Sequence, residues 1–561
     1  MNILTKYFFS RCFELLNKKS FDTYRVSLHN PYTIFEELLI SLSNYDKKRI
    51  KNYDPTITSI GKEIKIFLDI DILTEVFEFN TYTKQQVKDN IENKCIKGKE
   101  GENNRTISLM CKTLLEENKS FTQKLFIRIT ELLLENVENN YHKVDRFACW
   151  LISQLLYKGY SRKFISNSVR KANDLINSGE TTEKTIEKLS QIFEKEPEKY
   201  GVIFKIKSEN ILNFKFASQE LIKIEELPQE FKGAKLINSK FKILDEDEVY
   251  LKIEVNTHDF WSALKLAHKI ICETIEINIL HQTDNKITLE NQALVFHDST
   301  KRCRMEKLED SLDGYYDYNE DEFSRFIFNY KNIESTTARE KLRSAIRFYK
   351  LGNDSIEMEH KILNYWIGFE QLFSAINSNE DSIKRIKNFY VALSCCYYLQ
   401  RRVNYLLVLA DSKKYTKEDT KIELQDLKIG LMEKIKFEHQ DPLLEKRLSR
   451  YINDFNSNHK IKENIELHQK RLDLHLTRIY KIRNELVHEG KTSVDLNQLA
   501  SHLRHYLLFS IEQITNELNE NIILNQLDDV FIYFENLNNR IINAKNIEEI
   551  FEIKEFKGYM E

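Results

Sequence analysis

Apolar residues recur at helical spacing along most of the chain. Phe35, Leu38, Leu39 and Leu42 form one such stripe, and Leu125, Ile129, Leu132 and Leu133 form another. Residues 1 to about 200 therefore read as helical. Within them CIKGKEGENNRT (95–106) is polar and contains glycine, which predicts a loop. INSGETTEK (176–184) reads as a turn, with Thr181 placed to cap the next helix and Glu183 in its first turn.

The pattern changes near residue 200. GVIFKIK (201–207), KFKILDEDEVYLKIEVN (240–256) and ALVFHD (293–298) are rich in Val, Ile, Phe and Tyr, with partial alternation. The spacing predicts strands, the second stretch supplying two of them joined by the acidic turn DEDE. A helix is expected between, over 259–277. Helical periodicity returns from about 335, where Thr337 and Glu340 have capping-box spacing. Further helices follow over 355–376, 381–399, 464–489 and 494–518. The short GKTS connection between the last two favours an antiparallel bundle. The expected fold class is mainly α. It comprises a helical N-terminal region (1–199, a regulatory or sensor part), a small α+β module (200–334), an antiparallel helical bundle (335–520) and a helical tail (521–561) that packs on that bundle or on a partner.

Composition sharpens this picture in three places. Thirteen Gly and five Pro in 561 residues leave little punctuation for tight turns, which favours long helices. A net charge of −3 provides no global basic field, so any nucleic-acid contact must be local. The eight cysteines include no C-x-x-C pair. No zinc site, other metal or cofactor is expected, and scattered thiols suit a reducing cytoplasm. No apolar run reaches the roughly 18 to 20 residues of a membrane span. The first twenty residues, interrupted by Lys6 and Arg11, read as an amphipathic helix rather than a signal peptide. A cytoplasmic protein is expected.

The candidate chemistry lies in RIYKIRNELVHEGK (478–491). Leu472, Leu476 and Ile479 mark a buried stripe, continued by Leu486 and Val487, and Gly490 is suited to stop the helix at a positive φ. His488 then falls in the last turn, where the negative end of the helix dipole favours a protonated imidazole. Arg483 is five residues earlier, about 7.5 Å of rise and 140° of rotation away. A shared site needs either a helix distortion, such as a π-bulge, or a second copy meeting the first across a symmetric interface. Cleavage of RNA by its own 2′-oxygen needs proton transfer and stabilisation of phosphoryl charge. Histidine does the first, and arginine presents a planar fork for the second. Asn484 can orient either group, and no metal is required.

Two further sets carry alternatives. Arg339, Arg343, Arg347 and Lys350 form one stripe beside Leu342, Ile346 and Tyr349. It is a solvated face or an RNA-contacting one. Glu370, among Leu363, Trp366, Ile367 and Phe373, is either a structural ion-pair partner within the bundle or the group that orients Arg483 or a neighbouring amide. His475, His502 and His505 are assigned to packing or surface.

RNELVH resembles the signature of the HEPN superfamily: Arg, a polar residue, then His after a short spacer. IRFYKLGNDS with KILNYWIGFEQLFSA resembles the earlier helices of its Apea-like branch, found in bacterial anti-phage systems, with Glu370 as the acidic residue in an apolar segment. The resemblance covers about 335–520. It implies a helical-bundle endoribonuclease that pairs as a homodimer or higher homo-oligomer, each protomer giving Arg483 and His488 to a composite cleft. It implies metal-independent cleavage that leaves a cyclic phosphate, toxin activity in abortive infection, and release by a phage-derived trigger. In some HEPN toxins a Tyr two residues after the His is nucleotidylated. That position here is Gly490, so this control is not expected. The alternative is a non-catalytic HEPN-like module for RNA binding or dimerisation, acting as a scaffold.

Overall fold

The computed structural model describes residues 2–17, 29–47, 53–98, 103–208, 221–232, 237, 239–281, 287–308, 320–355, 357–373, 382–399, 401–402, 441–455, 457–489, 496–521, 524–546 and 549–550. The chain is mostly helical with one small antiparallel sheet, as the periodicity predicts. It divides into two compact units, Met1–Trp150 with Leu312–Glu561, and Leu151–Ser311. These breaks differ from the changes of pattern at 200 and 334. The first 150 residues belong to the compact unit of the C-terminal helices, and the sheet unit includes helices upstream of its strands.

In the first unit, α1 (Ile3–Leu16), α2 (Pro31–Asp46), α3 (Tyr53–Leu68), α4 (Lys84–Asn90), α5 (Asn104–Glu117) and α6 (Phe121–Glu135) begin the chain, and the division between the units falls within α7 (Tyr141–Tyr157). Asn30 opens α2 with a reciprocal capping box to Thr33, which satisfies backbone donors at that end. Of the expected loop at 95–106, residues 99–102 lie outside the described residues, and the stretches on either side run into helical turns. Ile91–Ile96 is a π-helical turn and α5 starts at Asn104, because Cys95 and Ile107 are buried apolar anchors on either side.

The sheet unit contains α8 (Arg162–Asn177), α9 (Thr182–Phe193), β1 (Glu198–Ser208), β2 (Leu221–Ile224), α10 (Gln229–Lys232), α11 (Ser239–Lys242), β3 (Glu248–Thr257), α12 (Phe260–His281), β4 (Ile287–His297) and β5 (Cys303–Lys307). Thr181 caps α9, as its position predicts, its hydroxyl accepting from the Lys184 amide at 3.4 Å. The strand order is β2-β3-β1-β4-β5, all antiparallel, with Val202 opposite Ile253 on one side and Val295 on the other. The stretch 240–256 does not form two strands. Its first part makes the turn of α11, because Phe241 packs on Tyr250 and covers a sheet face instead of joining the ladder. That face also receives Phe231, and the opposite face receives Ala263, Ala267 and Ile271 of α12. A central strand covered on both faces reads as a continuous apolar run, which is why alternation in β1 is partial.

The remaining helices of the first unit are α13 (Glu320–Asn332), α14 (Thr336–Asp354), α15 (Met358–Phe373), α16 (Ser382–Cys396), α17 (Pro442–Phe455), α18 (Asn458–Glu489), α19 (Leu496–Glu520) and α20 (Leu527–Asn543). Ser335, not Thr337, caps α14, its hydroxyl accepting from the Ala338 amide. Thr337 already lies inside the helix, so the expected capping box does not form. Helix directions follow from paired contacts. Gly352 meets Tyr365 while Gly368 meets Ala345 and Phe348, so α14 and α15 run antiparallel. Lys387 pairs with Asp473 and Ser394 with His468, so α16 and α18 are antiparallel too. Trp366 meets Tyr480 and Glu370 meets Arg483, so α15 and α18 run the same way. One apolar core runs through these helices, with Trp366, Phe369, Tyr390, Ile479, Ile482, Leu503 and Leu507 at its centre. Gly368 lets α15 approach closely: a Cβ there would sit 3.0 Å from Leu507 and 3.1 Å from Phe348. The tail helix α20 packs on the bundle, Phe531 stacking 4.8 Å from Phe389.

Candidate functional site

The site is built on α18. Leu472, Leu476 and Ile479 face the core, and Arg483 follows at the next helical step of the same stripe. A cation at the edge of an apolar face needs a counter-charge. Glu370 of α15 supplies it, with Oε2 3.6 Å from Arg483 Nη2. That separation is too long for a hydrogen bond, so the contact is a charge pair. Ser382, at the start of α16, donates its hydroxyl to Glu370 Oε1 at 3.1 Å. Arg483 Nη1 donates to Asn484 Oδ1 at 3.0 Å. Three helices thus fix one guanidinium. Its side chain stays 25 % exposed and that of Glu370 23 %. A guanidinium has five donors, so this arrangement leaves some of them for an anionic group.

His488 is exposed; Leu486 continues the buried stripe as expected, but Val487 does not and is 51 % exposed. The helix is regular from Asn458 through Glu489, without a π-bulge between Arg483 and His488. Within one chain the two side chains therefore diverge by about 140° and do not converge. Gly490, expected as the helix stop, lies outside the described residues, as does the GKTS connection.

The basic stripe on α14 is exposed at all four positions: Arg339, Arg343, Arg347 and Lys350. Two of them have local partners. The Arg339 guanidinium donates to the carbonyls of Lys331 and Ile333 at the C-terminal end of α13, and Lys350 pairs with Asp354 at 2.6 Å. Arg343 and Arg347 face solvent.

The opposite face of α18 carries a cluster that the periodicity did not single out. Arg478 Nη2 lies 3.1 Å from Glu37 Oε2 on α2 and 2.5 Å from Glu63 Oε2 on α3. Lys481 Nζ donates to Ser41 Oγ at 2.7 Å and lies 3.4 Å from Glu37. His29 Nε2 is 3.0 Å from the same carboxylate. All but His29 are buried. Burial works against the Glu37 carboxylate, but Arg478, Lys481 and His29 together hold its pKa well below the usual range. The available signal was slight: Glu37 stands beside Glu36, between the apolar residues Phe35 and Leu38. A second ionic cluster joins α1, α7 and α17. Arg11 bonds Glu14 and lies 2.8 Å from Asp145, and Arg447 lies 3.0 Å from Glu14.

His475 packs in the bundle as expected. Its Nδ1 is 3.0 Å from the Tyr506 hydroxyl, and its Nε2 is 3.3 Å from His502. Burial, then the neighbouring His502 and Arg478, push its pKa well below the ordinary imidazole value. All eight cysteines are free thiols. Among the described residues no helix is long and apolar enough to cross a membrane. Comparison with protein-family models, with curated proteins and with solved structures finds no match to this chain.

Proposed function

We propose that the chain is a metal-independent endoribonuclease of HEPN type, built as an Apea-like anti-phage toxin of abortive infection. The observation that carries this reading is Arg483, fixed by Glu370 and Asn484 yet still open to solvent, five residues before an exposed His488 on one regular helix. In the proposed reaction the ribose 2′-oxygen attacks the adjacent phosphorus and the 5′-oxygen leaves. His488 moves a proton, and Arg483 holds the phosphoryl oxygens. The product is a cyclic phosphate. Because the two side chains diverge in one chain, the composite cleft is completed by a second copy, with Arg483 of one protomer facing His488 of the other. Arg343 and Arg347 are the members of the α14 stripe best placed to meet RNA, since Arg339 and Lys350 have local partners.

The same divergence favours a second reading if the chain acts as a monomer. A lone Arg483 engaged by Glu370 then serves a non-catalytic RNA-binding or dimerisation module. Purified protein incubated with RNA in EDTA separates the two. Cleavage with a cyclic phosphate end supports the nuclease. Binding without cleavage supports the module, and activity that disappears with chelator points to a metal-dependent mechanism.

A further inference from the structure

The helix that bears Arg483 and His488 is gripped on two sides. Arg483 meets α15, while Arg478 and Lys481 meet α2 and α3. Lys481 and His488 are seven residues apart, so they differ by only about 20° in direction and by about 10.5 Å along the axis. Arg483 points about 160° away from Lys481. The buried ion cluster therefore lies on the His488 face, two turns before it. Buried ion pairs seldom stabilise a fold more than apolar packing of the same volume would. What they do specify is direction: Arg478 sits between Glu37 and Glu63, and Lys481 between Glu37 and Ser41.

We infer that Glu37, Glu63, Arg478 and Lys481 are positioning residues, through which α2 and α3 set the rotation of α18 and so the direction in which His488 is presented. For activity this rests on the ribonuclease reading, while its effect on the helix does not. The N-terminal helices are thus coupled to the candidate site by charge rather than by apolar contact alone.

The test uses the full chain with Glu37→Leu, Glu63→Leu, Arg478→Met and Lys481→Met combined, an apolar filling of similar volume. Thermal unfolding, amide exchange over 482–489 and steady-state RNA cleavage are measured. The expected result is an unchanged or higher unfolding midpoint, exchange about tenfold faster or more, and kcat lowered about tenfold with little change in KM. Glu63→Gln, which keeps shape and leaves Arg478 on Glu37, carries the same test should the apolar variant unfold. Wild-type exchange over 482–489 in a folded variant overturns the proposal. If the unaltered protein cleaves no RNA, the ribonuclease reading fails and the exchange measurement alone decides on the positioning role.

Discussion

In the proposed reaction Arg483 and His488 have different roles, and their surroundings differ. Arg483 is held by a carboxylate and an amide, whereas no described residue pairs with the His488 ring. Arg483→Ala and His488→Ala are each expected to lower RNA cleavage at least about a hundredfold with the fold intact, as loss of a general acid–base or charge-stabilising group does. Retained cleavage by either purified variant removes that residue from the mechanism. Glu370→Gln tests orientation separately from chemistry. The Arg483–Glu370 pair is partly exposed, so its loss should cost no more than about 1 kcal/mol of stability. Cleavage is expected to fall while the unfolding midpoint barely moves; a large drop in the midpoint would make Glu370 a structural residue.

At the scale of elements, α18 brings together groups that its own sequence keeps apart: a core stripe, an ionic face and the candidate pair. Its buried His475 also makes stability depend on pH. Folded His475 stays neutral because burial, then His502 and Arg478, oppose the proton. The unfolded chain takes that proton near about pH 6.5, so this contribution is complete above that pH and is lost as pH falls below it. His475→Gln keeps a hydrogen-bonding side chain without the titration, so its unfolding midpoint should fall less steeply on acidification. Parallel curves for the two proteins would show that His475 contributes nothing to the pH dependence. Glu37 acts lower down: its depressed carboxyl contributes stability above the usual carboxylate range, which is lost as pH falls through its folded value.

At the scale of the whole molecule, the proposed cleft needs two copies, and that has a direct consequence. In a symmetric dimer that joins an Arg483→Ala chain to a His488→Ala chain, one of the two composite sites recovers both intact residues. Random mixing should then restore up to about a quarter of wild-type cleavage, whereas a site complete within one chain gives none. Much of this architecture was legible in the chain. The helical periodicity, the strand-rich middle, the cap at Thr181 and the Arg-Asn-x-x-x-His spacing are local patterns, and local patterns report backbone geometry and burial. Other features were not legible. Phe241 left the ladder to cover a sheet face, Ser335 displaced Thr337 as the cap, and the first 150 residues joined the unit of the last 250. The pairing of Glu370 with Arg483, and of Glu37 and Glu63 with Arg478, depends on which helix faces which across more than a hundred residues of chain. Helix type and apolar face follow from neighbours three or four positions away, and the chain by itself determined them. The partner of a buried charge is chosen only when distant helices pack and desolvate it, so that choice belonged to the tertiary structure alone.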